Sequence, residues 1–254
     1  MKKRTFLAAG AATLFAAASL PAQLTVLIDF GSDSTFRGVT TPGNWNSTAF
    51  GYMADLVDTT GAATTIDWAP DGLGGVDSFN GPAGATSNPV TSAEISAADA
   101  AIDNVALGDL GVAEAAMDYY VSNNGTTDVG RFQLQQVTDG QLYDLSFYAS
   151  HKFIGSQTTF SVFDDSAYSN LLGSVTLTHG DGAGNHNADT VATISGLVGP
   201  SNSNNIFYVQ WEGVNDSTQG YLNSMSITAV PEPSTYAAIA GLAVLGLAWF
   251  RRRR

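Results

Sequence analysis

RFQLQQV at 131–137, LYDLSFYAS at 142–150, TTFSVFD at 158–164, LLGSVTLTH at 171–179, DTVATISGL at 189–197, NIFYVQWEG at 205–213 and YLNSMSITA at 221–229 decide the fold class. Each is short and rich in β-branched and aromatic residues, and turn formers such as Asp139-Gly140, Gly155-Ser156, Gly184-Asn185 and Ser201-Asn202 separate them. Phe160 and Val162 alternate with polar neighbours, as do Phe207, Val209 and Trp211. A period of two buries one face of a strand and leaves the other to water. Seven such strands in sequence predict an antiparallel β-sandwich, mainly β, with two stacked sheets burying the apolar faces.

Working back from that block, the pattern loosens. Leu24 to Phe30 (LTVLIDF) predicts a buried first strand ending in the Gly31-Ser32-Asp33-Ser34 turn, and Phe50–Val57 and Thr64–Trp68 read as further strands. TTPGNWNST around Pro42 to Thr48 reads as a loop carrying Trp45. Residues 69–92 are crowded with Gly, Pro, Asp and Asn and predict a long loop. SAEISAADAAIDNV at 92–105 predicts a short helix with Ser92 as N-cap. Val112 to Tyr120 carries mixed signals, alanines for helix and tyrosines for strand.

The two ends differ from the body. Met1-Lys2-Lys3-Arg4, an apolar run from Thr5 to Ala18 and Ser19-Leu20-Pro21-Ala22-Gln23 form a positive, an apolar and a cleavage region, which predicts a signal peptide over 1–22 cut between Ala22 and Gln23. The chain closes with VPEPSTYAAIAGLAVLGLAWFRRRR at 230–254. Its fifteen apolar residues from Tyr236 to Phe250 reach roughly 23 Å as a helix, short of a hydrocarbon core of about 30 Å. Arg251, Arg252, Arg253 and Arg254 follow directly, and positive charge beside an apolar segment holds that end on the cytoplasmic side of a membrane.

Pro231, Glu232 and Pro233, the Ala/Gly/Leu-rich span and the four arginines together closely resemble the PEP-CTERM sorting tail of exported Gram-negative proteins. The resemblance covers residues 230–254 and implies an exosortase as partner, a transient place in the membrane through the C-terminal helix, and delivery to the cell surface or extracellular polysaccharide. The chain thus divides into 1–22, a body over 23–229 and the tail over 230–254.

Between Gln23 and Val230 stand three basic residues, Arg37, Arg131 and Lys152, against twenty-two acidic ones, a net charge of −19. Phosphate backbones repel such a body, which excludes nucleic acid as a partner. Cysteine is absent, so the fold is held by its core without disulfides.

Candidate chemistry is sparse. Gly31-Ser32-Asp33-Ser34 occupies the place of an esterase serine, but the Asp-Ser order is wrong and none of His151, His179 or His186 has an Asp three residues before it. Glu94, Glu114 and Glu212 are the only glutamates of the body, and Glu212 beside Trp211 is the best placed for a glycosidase acid. The loop from His179 to Asp189 holds Asp181, Asn185, Asn187 and Asp189, oxygen donors suited to Ca²⁺, although a glycine-rich hairpin loop explains the same residues. Trp45, Trp68, Trp211, Tyr52, Tyr119, Tyr120 and Tyr221 are candidate aromatic platforms for a sugar, and Trp45, between Asn44 and Asn46, is the best placed for exposure, packing over the sandwich edge being the alternative.

The IDFG first strand, the Gly-Asn-Trp-Asn loop and the late Gly220-Tyr221-Leu222-Asn223-Ser224-Met225 are similar to galactose-binding-like jelly-roll modules, which implies carbohydrate recognition by loops at one end. The function expected is that of a non-enzymatic, surface or matrix protein that binds exopolysaccharide and needs no cofactor beyond Ca²⁺. The alternative is a secreted carbohydrate-active enzyme, a glycosidase or esterase.

Overall fold

The computed structural model describes residues 23–31, 40–48, 51–72, 87, 89–122, 129–151, 157–180, 185–214 and 219–231. Ala22 and the signal segment, Asp181, Glu232, Pro233, the apolar stretch 236–250 and Arg251–Arg254 lie outside them. Gln23 is exposed and Pro231 ends the described chain.

Two five-stranded sheets face each other. The first runs β2 (Trp45–Thr48), β1 (Thr25–Phe30), β12 (Ser224–Val230), β6 (Leu142–Tyr148), β9 (Ala192–Val198). The second runs β3 (Asp67–Pro70), β5 (Gly130–Gln135), β10 (Phe207–Gly213), β7 (Gln157–Phe163), β8 (Leu171–Thr178). A short ribbon pairs β4 (Tyr120–Val121) with β11 (Tyr221–Leu222). All seven segments after Gly130 form strands, the last split by Asn223 into β11 and β12.

The alternation fixes which faces meet. Phe207, Val209 and Trp211 point into the sandwich with Phe132 and Leu134 of β5 and Phe160 and Val162 of β7, all fully buried. Phe147 of the first sheet stacks on Phe160 of the second, ring centroids 4.5 Å apart and planes 4° off parallel. Phe30, Trp68, Tyr120 and Phe132 close one end as a continuous aromatic cluster. Burying each such side chain is worth about 1.5–3 kcal/mol, which is how a domain without disulfides holds together.

β12 lies in the middle of the first sheet, antiparallel to β1 from Thr25↔Thr228 to Asp29↔Ser224 and to β6 from Leu142↔Val230 to Tyr148↔Ser224. Asn223, just before it, is buried; its Nδ2 donates to the carbonyls of Ala116 and Asp118 at 2.9 and 2.8 Å, and its Oδ1 accepts from Ser150 N at 2.7 Å. One side chain thereby satisfies backbone groups of two distant segments.

Three expectations are corrected. The sandwich is not antiparallel throughout, because β1 and β2 pair in parallel from Leu27↔Trp45 to Phe30↔Thr48. Trp45 therefore opens a strand instead of riding on a loop. The Asn46 side chain holds that strand, donating to Leu27 O and exchanging two hydrogen bonds of 2.9 Å with the backbone of Val57. The two strands expected over 50–57 and 64–68 reduce to isolated bridges, Met53↔Trp68 and Val57↔Ala63, with β3 starting at Asp67. This segment covers the β3 edge, with Met53 and Trp68 exchanging backbone hydrogen bonds of 2.9 Å.

The helical insertion is α1 (Ser92–Ala101), α2 (Asn104–Leu107), a 3-10 turn over Gly108–Leu110 and α3 (Ala113–Met117). The N-cap of α1 is Thr91, not Ser92, in a capping box closed by Glu94. Asp103 caps α2 by accepting from Val105 N and Ala106 N, which ends the predicted helix early. The mixed stretch 112–120 divides into α3 and the first residue of β4.

Candidate ligand-binding cleft

Asp67 enters β3 opposite Gln135 of β5 and is almost wholly buried. A carboxylate taken out of water needs compensating donors. It has three: the Tyr52 hydroxyl, Asp55 N at 2.8 Å and Gln136 Nε2 at 2.5 Å. The arrangement pins Tyr52, whose ring is nonetheless 57% exposed. The hydrogen bond to Asp67 holds the Tyr52 phenol above its ordinary pKa, with desolvation and the negative charges of Asp67 and Asp55 acting the same way.

Around Tyr52 and Asp67 opens a cleft of about 640 Å³ whose walls include Thr65, Gln135, Gln136, Asp139, Asn204 and Asn205. Five non-glycine residues have positive φ among those described; three line the cleft, Gln136 (58°), Asn204 (69°) and Asn205 (49°), and a fourth, Asp55 (51°), donates its N–H to Asp67. Left-handed backbone of this kind costs on the order of 1–3 kcal/mol per residue outside glycine and collects where a site imposes geometry. It is least costly for Asn and Asp, so Gln136 is the telling case. The bend is held by Gln136 N to Asn204 O at 3.0 Å and Val137 N to Asn205 O at 3.2 Å.

Amides both donate and accept, carboxylates accept, and an immobilised aromatic ring offers an apolar face. Together they suit a ligand dense in hydroxyl groups. The charge that a cationic ligand would meet is already matched at Asp67 by three donors.

Apart from Tyr52, the residues singled out from sequence lie elsewhere. Trp45 is half-buried and packs against Leu27, Ile102, Leu107, Leu110 and Tyr148, under the helical insertion. In the Ca²⁺ set, Asn187 is buried and its Oδ1 accepts from Asp189 N at 3.4 Å and Thr190 N at 3.0 Å. Its Nδ2 donates to Ala149 O and Thr190 O. Asn187 therefore ties its loop to the end of β6, with its oxygen turned to backbone donors. Asn185 and Asp189 are exposed. Among the described residues no group of three or more His, Cys, Asp or Glu is placed to hold a metal ion. Glu94 closes the α1 capping box, Glu114 lies in the first turn of α3, and Glu212 stands opposite Thr159 on the outer face of the second sheet. Tyr52 is one of the aromatic residues the sequence offers as a platform, but the cleft around it is not legible there, because Tyr52, Asp67, Gln136 and Asn204 share no local motif.

At the other end of the sandwich His151 stacks on Tyr221 at 4.1 Å, and His179 meets the same ring edge-on at 4.7 Å. Thr158 Oγ1 accepts from Tyr221 N at 2.8 Å and shares a hydrogen bond of 3.1 Å with His179 Nδ1. His179 Nε2 is buried and without a partner among the described residues. Burial pulls the His179 pKa down to about 4. The unfolded chain binds a proton there near pH 6.5 and the folded chain does not, so the stabilisation is full above pH 6.5 and is lost as pH falls toward 4. Unfolding free energy is expected to drop by up to about 1.4 kcal/mol per pH unit in that window. Denaturant titrations at pH 7, 6 and 5 check it, and His179→Gln should flatten the slope whatever its effect at pH 7.

Residues 229–254 match the PEP-CTERM protein-sorting motif. The motif implies exosortase processing, export and sorting to the cell surface. No curated protein matches the chain. Among solved structures, the ANX2 ectodomain from Arabidopsis thaliana aligns at 12% identity and a TM-score of 0.46, covering 83% of this chain and 50% of that one. This chain thus spans half the length of that ectodomain. The CBM32 of AlyQ in complex with 4,5-unsaturated mannuronic acid aligns at 13% identity and a TM-score of 0.28, over 50% of this chain and 81% of that one. TmCBM61 in complex with β-1,4-galactotriose aligns at 13% and 0.26, over 43% and 68%. The resemblance to these β-sandwich modules is distant. Among the described residues no helix is long and apolar enough to cross a membrane.

Proposed function

We propose that the body is a non-catalytic glycan-binding module, which the tail sends to the cell surface or the surrounding exopolysaccharide. The observation that carries this reading is Tyr52, an exposed aromatic ring fixed by a buried carboxylate at the mouth of a cleft walled with amides. A free surface tyrosine would lose rotamer freedom on binding; this one has already lost it, which lowers the entropic cost of stacking a sugar on it. The sorting motif adds the setting, since a protein delivered to a polysaccharide-rich surface meets such ligands at high local concentration. Binding without turnover fits the state of Asp67, whose oxygens are occupied by three donors and are not offered to a glycosidic bond.

The test is a glycan array with the purified full chain, beside a reducing-end assay on every glycan that binds. Tyr52→Ala is expected to weaken the best ligand about tenfold, roughly 1.4 kcal/mol, and also to lower the melting temperature because Asp67 loses a donor; Tyr52→Phe loses the same donor but keeps the ring and most of the binding. Release of reducing ends would mean an enzyme, and unaltered binding by Tyr52→Ala would move the site away from the cleft.

A further inference from the structure

From the cleft wall a row of polar side chains runs along the outer face of the second sheet. Gln135, on its wall, donates to Gln133 at 2.7 Å, and Gln133 donates to Asp71 at 3.0 Å. Asp71 also accepts from the Tyr168 hydroxyl at 2.8 Å. The Arg131 guanidinium lies over the Tyr168 ring, 4.0 Å from its centroid, and Arg131 Nε donates to Gln210 at 3.0 Å. Tyr168 is the fifth left-handed residue, held in a turn where Asp165 accepts from the backbone of Ala167, Ser169 and Asn170. The row of half-buried Gln135, Gln133 and Arg131 follows every second residue of β5. From Gln135 to Arg131 the strand rises roughly 13 Å, the length of a short oligosaccharide and more than twice that of one sugar ring.

Charge selects among oligosaccharides. Asp67, Asp71 and Asp139 flank the row, and Arg131 is the one basic side chain among the described residues. A uronate carboxylate is recognised best by a free, bidentate guanidinium. The Arg131 guanidinium is not free: its face lies on Tyr168 and its Nε donates to Gln210, which leaves only its Nη edge to meet a carboxylate. Arg131 is a positioning residue that fixes Tyr168 and Gln210, and a polyuronate arriving here meets net negative charge.

Resting on the glycan-binding reading, we infer that the ligand is an extended stretch of a neutral glycan, at least three rings long, laid along β5 from Tyr52 toward Gln210. The ladder of amides presents alternating donors and acceptors to the hydroxyls of successive rings, and Tyr52 stacks the terminal one.

Isothermal titration of the full chain in mild detergent, with cello-, malto- and galacto-oligosaccharides of one to six units and with oligogalacturonates of the same lengths, tests this. For a neutral series that binds, Kd is expected to tighten by about tenfold or more from one to three units and by less than about twofold from four to six. Gln133→Ala should weaken the trisaccharide severalfold and leave the monosaccharide unchanged. Oligogalacturonates should bind at least about tenfold more weakly than the neutral series at low salt, the gap narrowing as salt rises. A monosaccharide as tight as the hexamer, or oligogalacturonates preferred, overturns the inference while leaving glycan binding standing. No binding by either class at any length overturns both.

Discussion

Trp211→Ala is expected to lower the unfolding free energy by about 3–5 kcal/mol, read by denaturant titration of the full chain. The indole is fully buried between the sheets, 6.0 Å from Phe132 and 6.5 Å from Tyr120, so its loss leaves a cavity that rigid neighbours cannot close. Gln210, one residue earlier and on the opposite face, is half-buried and engaged only with Arg131 among the contacts described, so Gln210→Ala should cost less than about 1 kcal/mol. Trp211→Phe should fall well below the alanine variant. It keeps a ring in place, and it removes an indole N–H that is buried with no hydrogen-bond partner among the described residues. Equal, small losses for Trp211→Ala and Gln210→Ala would put the indole outside the core.

Gly130→Ala should be comparably damaging, on the order of 3 kcal/mol, for the opposite reason. Gly130 faces Trp211 across the β5–β10 ladder, and a Cβ built there would stand 2.2 Å from the Cε2 and Cζ2 atoms of the indole. The glycine is required by close approach and not by its backbone angle. The two substitutions must therefore interact. Gly130→Ala combined with Trp211→Phe, which replaces the bicyclic indole by a single smaller ring, is expected to cost clearly less than the sum of the separate losses. Strict additivity in that double-mutant cycle would show that the methyl group and the indole do not share space.

These residues also show what could be read before folding. The alternation of Phe207, Val209 and Trp211 places the interior of the second sheet, because a half-buried strand leaves a period-two trace in its own sequence. Gly130 leaves none, since the ring it makes room for is 81 positions away in the chain. The same difference separates the segments after residue 130 from β2. The late strands are long and each is bounded by turn residues. β2 is four residues among Pro, Gly and Asn, and it exists because the Asn46 side chain clamps it between Leu27 and Val57. The cleft is the extreme case. Its left-handed residues are mostly Asn and Gln, not the glycines that advertise such backbone, and its buried carboxylate is stabilised by donors from two distant stretches. Chemistry assembled from tertiary contacts has no spacing to detect. The resemblance of the tail, by contrast, was legible at once, because a sorting motif is recognised as a linear string.

The place of β12 has a mechanical meaning. The strand ends at Val230, where the sorting tail begins, and it is flanked on both sides by antiparallel partners, β1 and β6. Hydrogen bonds in such ladders stand perpendicular to the strands. A pull on the body at its C-terminal end runs along β12 and loads both ladders in shear, all bonds together, whereas an edge strand in the same position would peel away one bond at a time. Drag at this end is met by a strand paired along both of its edges.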